Sequence, residues 1–237
     1  MERYWDWYRH GTLSSTGHCF DIGMTTQQAL QRYKETGEPF SGSPDPFSAG
    51  NGSIMRLAPV PLIFAHHPRE AIARAADSSR TTHGAVECVD ACRYLAALIV
   101  GAVNGASKGD LLADHFEPEP GIWCDAPLTP RIATIASGSF KRRHPAEIKG
   151  SGYVVESLEA ALWAFARGTS FREGALLAVN LGDDADTTSA VYGQLAGAFY
   201  GEQGIPELWR NRISHGPLII ALADQLCTLA ALPPSHG

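Results

Sequence analysis

"HGAVECVDACRYLAALIVGAV", residues 83–103, decides the fold class. Val89, Cys92, Ala96 and Ile99 recur at helical spacing, and the segment is apolar enough to be a central helix. Helix signals extend from it in both directions. "TTQQALQRYKETG" offers a capping box from Thr25 to Gln28 and a glycine stop at Gly37. "HPREAIARAADSS" places Pro68 at a favourable first helical position. "YVVESLEAALWAFARG" puts Val155, Leu158, Leu162 and Phe165 on one face, and "TSFREGALLAVN" begins with a second capping box, Ser170 to Glu173. Further on, Val191, Leu195 and Phe199 form one stripe, while Gly193, Gly197 and Gly201 fall four apart on another. Glycine inside a helix costs about 1 kcal/mol relative to alanine, so the second stripe implies a close helix–helix approach. "GPLIIALADQLCTLAAL" reads as a final buried helix before a frayed "PPSHG" tail. Alternating strand patterns are nearly absent. The expectation is an all-α fold: a single multi-helix bundle domain over residues 1–237.

Composition agrees with one substantial core. The 237 residues are 44% apolar and 19% charged, which describes a folded globule and not a disordered segment. A net charge of −6 argues against a general nucleic-acid binder, which carries a basic face. It leaves room for an anionic small molecule, because a bound metal reverses the local field. Of the five cysteines, Cys88 and Cys92 lie one helical turn apart in the apolar segment and read as buried thiols. The odd number and the absence of knuckle spacing suggest a reducing compartment. "MERYWDWYRHG" is polar and aromatic and does not read as a signal peptide, and no apolar run approaches the ~20 residues that span a bilayer. A cytoplasmic protein without membrane partners is expected.

One turn stands out chemically. "NLGDDADTTSAVYGQ", residues 180–194, packs Asp183, Asp184, Asp186, Thr187 and Thr188 into six positions. A helix start needs one capping oxygen. Asp184, Asp186 and Thr187 can converge on one point, and hard oxygens with no His or Cys nearby favour Mg²⁺, Mn²⁺ or Ca²⁺ over zinc. Helix capping with favourable dipole charges is the alternative. Three ligands do not fill a shell of about six oxygens, and no second Asp-Thr cluster exists elsewhere. The sequence therefore contains half a metal site.

Three other stretches carry possible binding groups. In "PFSAGNGSIMRLAPVPL", Ser48, Gly50, Asn51, Gly52 and Ser53 form a small-residue turn leading into a helix. Such a turn is either a phosphate-binding nest or an ordinary Gly/Asn/Ser turn. His83 is either a packing residue before the central helix or a ligand contact. Gly152 and Tyr153 in "GSGYVVES" offer a flat aromatic that could stack on a base or sugar. His66 and His67 have no ligand partner at metal spacing and read as surface. The longest loops, residues 37–53 and 115–130, are candidate binding elements.

Taken in order, "SAGNGSIMRLAPVPL", "TTHGAVECVDACRY", "GSGYVVESLEAALWAF" and "VNLGDDADTTSAVYGQLAGAFYG" followed by "IPELW" resemble the ADP-ribosylglycohydrolase family, including its dinitrogenase reductase-activating members. The resemblance implies an all-α fold with a dinuclear Mg²⁺ or Mn²⁺ centre in a cleft. It implies hydrolysis of the glycosidic bond between ADP-ribose and a protein side chain or small acceptor. Asp184 and Asp186 would be catalytic, and with Thr187 they would be metal ligands. Ser48, Gly50, Asn51, Gly52 and Ser53 would hold the diphosphate, with His83, Gly152 and Tyr153 lining the ADP-ribose cleft. Family members also carry an N-terminal Gly-Asp pair and a Thr-Asp-Asp-Thr motif, and this chain has neither. Relative to the family it reads as truncated at its N-terminus, so alone it is expected to bind metal weakly and hydrolyse little. A catalytically silent relative that binds ADP-ribose, or serves structurally as lens crystallins of this lineage do, is the alternative.

Overall fold

The computed structural model describes residues 1–231, and they form helices and loops with no sheet. In chain order the helices are α1 (Glu2–His10), α2 (Met24–Thr36), α3 (Pro59–Ile63), α4 (Pro68–Arg80), α5 (Val86–Val103), α6 (Lys108–Leu111) and α7 (Ile122–Asp125). They continue with α8 (Pro130–Ala136), α9 (Ser139–Arg142), α10 (Val154–Arg167), α11 (Phe171–Val179), α12 (Ala185–Gly204), α13 (Glu207–Arg210) and α14 (Gly216–Ala230). The all-α expectation holds. The tail at residues 233–237 lies outside the described residues.

The central helix is the one expected. From Cys88 to Ala102, every residue of α5 except Arg93 is buried, so its sequence is apolar on all sides and not on one stripe. Helices α4, α10 and α12 pack around it, and α11 packs on α10 and α12. The aromatic rings of Phe165 and Phe199 meet edge to face at 5.5 Å, joining α10 to α12.

Three local expectations change. Helix α2 starts at Met24 with Gly23 as its N-cap, so Thr25 already lies inside the helix and cannot cap it. Ser170 does accept from the Glu173 amide at 3.2 Å. The Glu173 carboxylate, however, takes the Thr169 amide and hydroxyl, leaving the second capping box half formed. The glycine stripe of α12 makes no close approach, since a Cβ on Gly193, Gly197 or Gly201 would meet nothing within 4 Å. The tight crossing sits one helix earlier. A Cβ on Gly174 of α11 would stand 2.3 Å from the Tyr192 hydroxyl. Gly201 serves a different need, a left-handed φ of 69° that breaks the last turn of α12.

The largest departure is α14. Its apolar sequence predicts burial, yet none of its residues is buried, and Leu218, Ile219, Ile220, Leu222 and Leu229 are exposed. Apolar content marks a helix that could be covered, while a neighbour must exist to cover it. Among the described helices α14 packs chiefly on α3, which has only five residues. No helix among the described residues is long and apolar enough to cross a membrane.

Candidate functional site

Backbone hydrogen bonds draw three remote segments together. The Asn51 amide donates to the Gly152 carbonyl at 3.0 Å and the Val154 amide to the Ala49 carbonyl at 3.0 Å, an isolated antiparallel bridge pairing Gly50 with Tyr153. The Asp184 amide donates to the Gly150 carbonyl at 2.8 Å. Asn51 then closes the junction with its side chain, Nδ2 donating to Asp184 Oδ2 at 2.7 Å and to the Ser151 carbonyl at 3.4 Å. The glycine-rich turn, the Gly152–Tyr153 pair and the acidic turn therefore form one unit.

The acidic turn is shaped by two consecutive left-handed residues, Gly182 at φ 75° and Asp183 at φ 55°. Glycine and aspartate are among the residues that tolerate this region. Asp184 is the N-cap of α12, but its side chain caps nothing. Asp186 accepts only from the next amide, Thr187, at 2.9 Å. Capping thus leaves the excess of oxygens unexplained. Among the described residues no Lys or Arg pairs with Asp183, Asp184 or Asp186, and Asp184 Oδ1 and Asp186 Oδ2 take no hydrogen bond. Thr187 is buried, and the buried Thr188 hydroxyl behind it has no partner. This donor set is all hard oxygen and fits one side of a Mg²⁺ or Mn²⁺ shell. Among the described residues no three His, Cys, Asp or Glu side chains gather to complete one.

Beside this unit lies a cleft of about 560 Å³, lined in part by Ser48, Gly50, Gly152 and Tyr153. It adjoins the acidic turn, because a Cβ on Gly152 would be 3.7 Å from Asp184 Oδ2. The other flagged residues stand behind its wall. Ser53 is fully buried and accepts from the Ser79 hydroxyl at 3.0 Å. His83 is buried beneath the turn, its Nδ1 bonded to the Thr82 hydroxyl at 2.8 Å. The His83 ring requires glycine above it: a Cβ on Gly52 would come within 2.9 Å of Cε1. Sequence reading missed six lining residues, Thr25, Pro46, Phe47, Ala49, Glu87 and Arg131. Fully exposed Phe47 was the most visible of these, as a large apolar side chain inside the loop already flagged. The 115–130 loop does not line the cleft; its Trp123 packs against Tyr94 of the core. A groove of about 620 Å³ between Pro145 and α11 contains none of the flagged residues.

Burial, and then the nearby Arg56 cation, push the His83 pKa down from 6.5 to about 4. The native state refuses a proton that the unfolded chain accepts, so stability falls as pH drops from 6.5 toward 4. At 1.36 kcal/mol per unit, moving from pH 6.5 to 5 costs about 2 kcal/mol from this group. Urea unfolding at pH 7 and pH 5 should show that loss, with a flatter dependence in His83→Gln. An identical slope in the variant would rule His83 out as its source.

A helical fold enclosing a cleft beside an acidic turn defines a class, and sequence comparison identifies it: the ADP-ribosylglycohydrolase family profile matches residues 1–235, and the chain belongs to that family. It is 42% identical over 220 residues to ADP-ribosylarginine hydrolase Tri1 of Pseudomonas putida (strain GB-1), covering 93% of this chain and 57% of that protein. It is 38% identical to the Tri1 of Serratia proteamaculans (strain 568), covering 94% of this chain and 59% of that one. A solved structure titled ADP-ribosylglycohydrolase-related protein complex superposes with a TM-score of 0.81 at 42% identity, covering 97% of this chain and 72% of that one. The chain spans under three fifths of the length of the two Tri1 proteins.

Proposed function

We propose that this chain contributes the ADP-ribose cleft and one wall of the metal site of an enzyme that hydrolyses the glycosidic bond between ADP-ribose and an acceptor, an arginine side chain in the first instance. The substrate would be an ADP-ribosylated protein or a small ADP-ribose conjugate. The observation that carries this reading is the Asn51–Asp184 bond, which joins the glycine-rich turn to the acidic one across 133 positions. It sets the cleft beside carboxylate oxygens that take no hydrogen bond. Similarity to two proteins named ADP-ribosylarginine hydrolase Tri1 supports arginine as the acceptor.

Each residue then has a task. Ser48 and Gly50 line the cleft where the family resemblance puts the diphosphate, and Tyr153 offers a flat ring to a base or sugar. Asn51 fixes the orientation of Asp184 by holding one carboxylate oxygen. Asp184, Asp186 and Thr187 would hold Mg²⁺ or Mn²⁺. When bound, the ion supplies Lewis-acid stabilisation of charge and a more acidic water. An Asp184 or Asp186 carboxylate oxygen not engaged with the ion can accept or return a proton as the glycosidic bond breaks.

Calorimetry with ADP-ribose tests this. Adding Mn²⁺ should strengthen binding to the native chain by about tenfold, the scale of a modest coupling energy. Asp186→Ala should abolish that gain and leave the metal-free affinity intact. Equal affinity in all four conditions would sink the metal-coupled site. A parallel assay of ADP-ribose release from arginine-modified protein tests the expectation that one wall of the metal site alone hydrolyses little: metal-dependent release by this chain would overturn it and exclude the silent-binder role.

A further inference from the structure

We propose that Glu87 and Arg131 are positioning residues of the cleft: together they pin the Tyr153 phenol and so fix the aromatic wall against which ADP-ribose lies. The inference rests on the ADP-ribose reading above and adds two residues that neither the motifs nor the family resemblance singles out.

The geometry is a closed triangle. Tyr153 Oη donates to Glu87 Oε2 at 2.6 Å, and Arg131 NH1 donates to the same Oη at 2.7 Å. Arg131 Nε lies 3.6 Å from Glu87 Oε1 and completes the circuit. The phenol therefore donates once and accepts once, both times with a charged partner. The ring can still flip about its own axis, but it cannot swing without breaking both bonds. Glu87 is in the first turn of α5, Arg131 follows the first residue of α8, and Tyr153 is the N-cap of α10. Three separately anchored helix starts thus fix one side chain, and all three residues line the cleft.

The arrangement makes little sense as a stabilising device. The Arg131 side chain is 66% exposed, and an ion pair so open to solvent adds little to folding. Direction is what it can supply. Two charge-assisted hydrogen bonds outweigh the rotamer entropy of one tyrosine, so the ring is ordered before a ligand arrives. The α8 start is itself tied down, since buried Asp90 of α5 accepts from the Thr129 amide at 2.6 Å. The raised pKa of Tyr153, about 12, reflects burial first and then the bond to Glu87.

Calorimetric titration of the full chain with ADP-ribose tests the idea on Glu87→Ala, Glu87→Gln, Arg131→Ala, Tyr153→Phe and the Glu87→Ala/Tyr153→Phe double variant. Loss of preordering should weaken ADP-ribose binding by about 3- to 10-fold in Glu87→Ala and in Arg131→Ala, with melting temperatures close to the native value. Glu87→Gln, which still accepts a hydrogen bond, should retain much of the affinity. The decisive result is non-additivity: the double variant should bind no worse than Tyr153→Phe alone, because Glu87 then has no hydroxyl to hold. Native affinity in both Glu87 variants, or additive losses in the double, would overturn the inference while leaving the cleft reading intact. No ADP-ribose binding by the native chain would overturn the cleft reading, and this inference with it.

Discussion

Replacing Asp90 with alanine is expected to cost about 3–5 kcal/mol, the penalty for stranding one member of a buried ion pair. Asp90 is 7% exposed on the otherwise apolar helix α5. Oδ1 accepts from Arg93 NH1 at 2.7 Å and Oδ2 from the Thr129 amide at 2.6 Å. Without the carboxylate, the Arg93 guanidinium stays nearly enclosed, held by the Ala126 carbonyl and the face of Trp123. For a domain of this size the loss corresponds to a fall in melting temperature of about 10 °C. The double replacement Asp90→Leu/Arg93→Met should recover most of it, because exchanging both charges for apolar groups is nearly neutral. If the double variant melts as low as the single one, the lost hydrogen bond to the Thr129 amide or lost packing, rather than stranded charge, is responsible.

Gly174→Val should cost about 2–4 kcal/mol, by an opposite mechanism: too much matter instead of too little charge. Its Cβ would fall 2.3 Å from Tyr192 Oη and 2.6 Å from two ring carbons. Tyr192 cannot retreat cheaply. It is 1% exposed, donates to the Phe171 carbonyl at 2.9 Å and lies against the Phe171 ring. Overpacking costs about 1–3 kcal/mol, and the displaced hydroxyl forfeits about 1 kcal/mol more. The control is Gly193→Ala, where a Cβ meets nothing and helix propensity should raise stability by up to about 1 kcal/mol. Chemical unfolding of the two variants should move in opposite directions. A stable Gly174→Val protein would mean that α11 and α12 are not locked together there.

These two residues also mark where the sequence was legible. Helix α5 could be read because an all-round apolar run has only one stable environment. Gly174 could not, because a lone glycine in "FREGALL" looks like mild helix weakening until Tyr192 is seen against it. The stripe at Gly193 and Gly197 misled for the converse reason, since spacing reports a face and not its partner. Helix α14 erred in the same way: its leucines and isoleucines imply a cover that α3 is too short to supply. In the candidate site, Asp184, Asp186 and Thr187 announced themselves by local density. Glu87 and Arg131 are single charges that could equally be helix-dipole or solvent residues, and only the fold brings them to one phenol.

The stitching of the cleft bears on how the protein comes into being. The contacts that assemble it span about 100 residues between Asn51 and Gly152 and 133 between Asn51 and Asp184. Helix pairs such as α4–α5 and α11–α12, by contrast, are neighbours in the chain. Loop-closure entropy delays such distant pairings relative to local ones. Helix pairs adjacent in the chain can therefore consolidate early, while the cleft closes only when remote segments meet. Competence for ligand thus depends on contacts that no single stretch of the chain can make by itself.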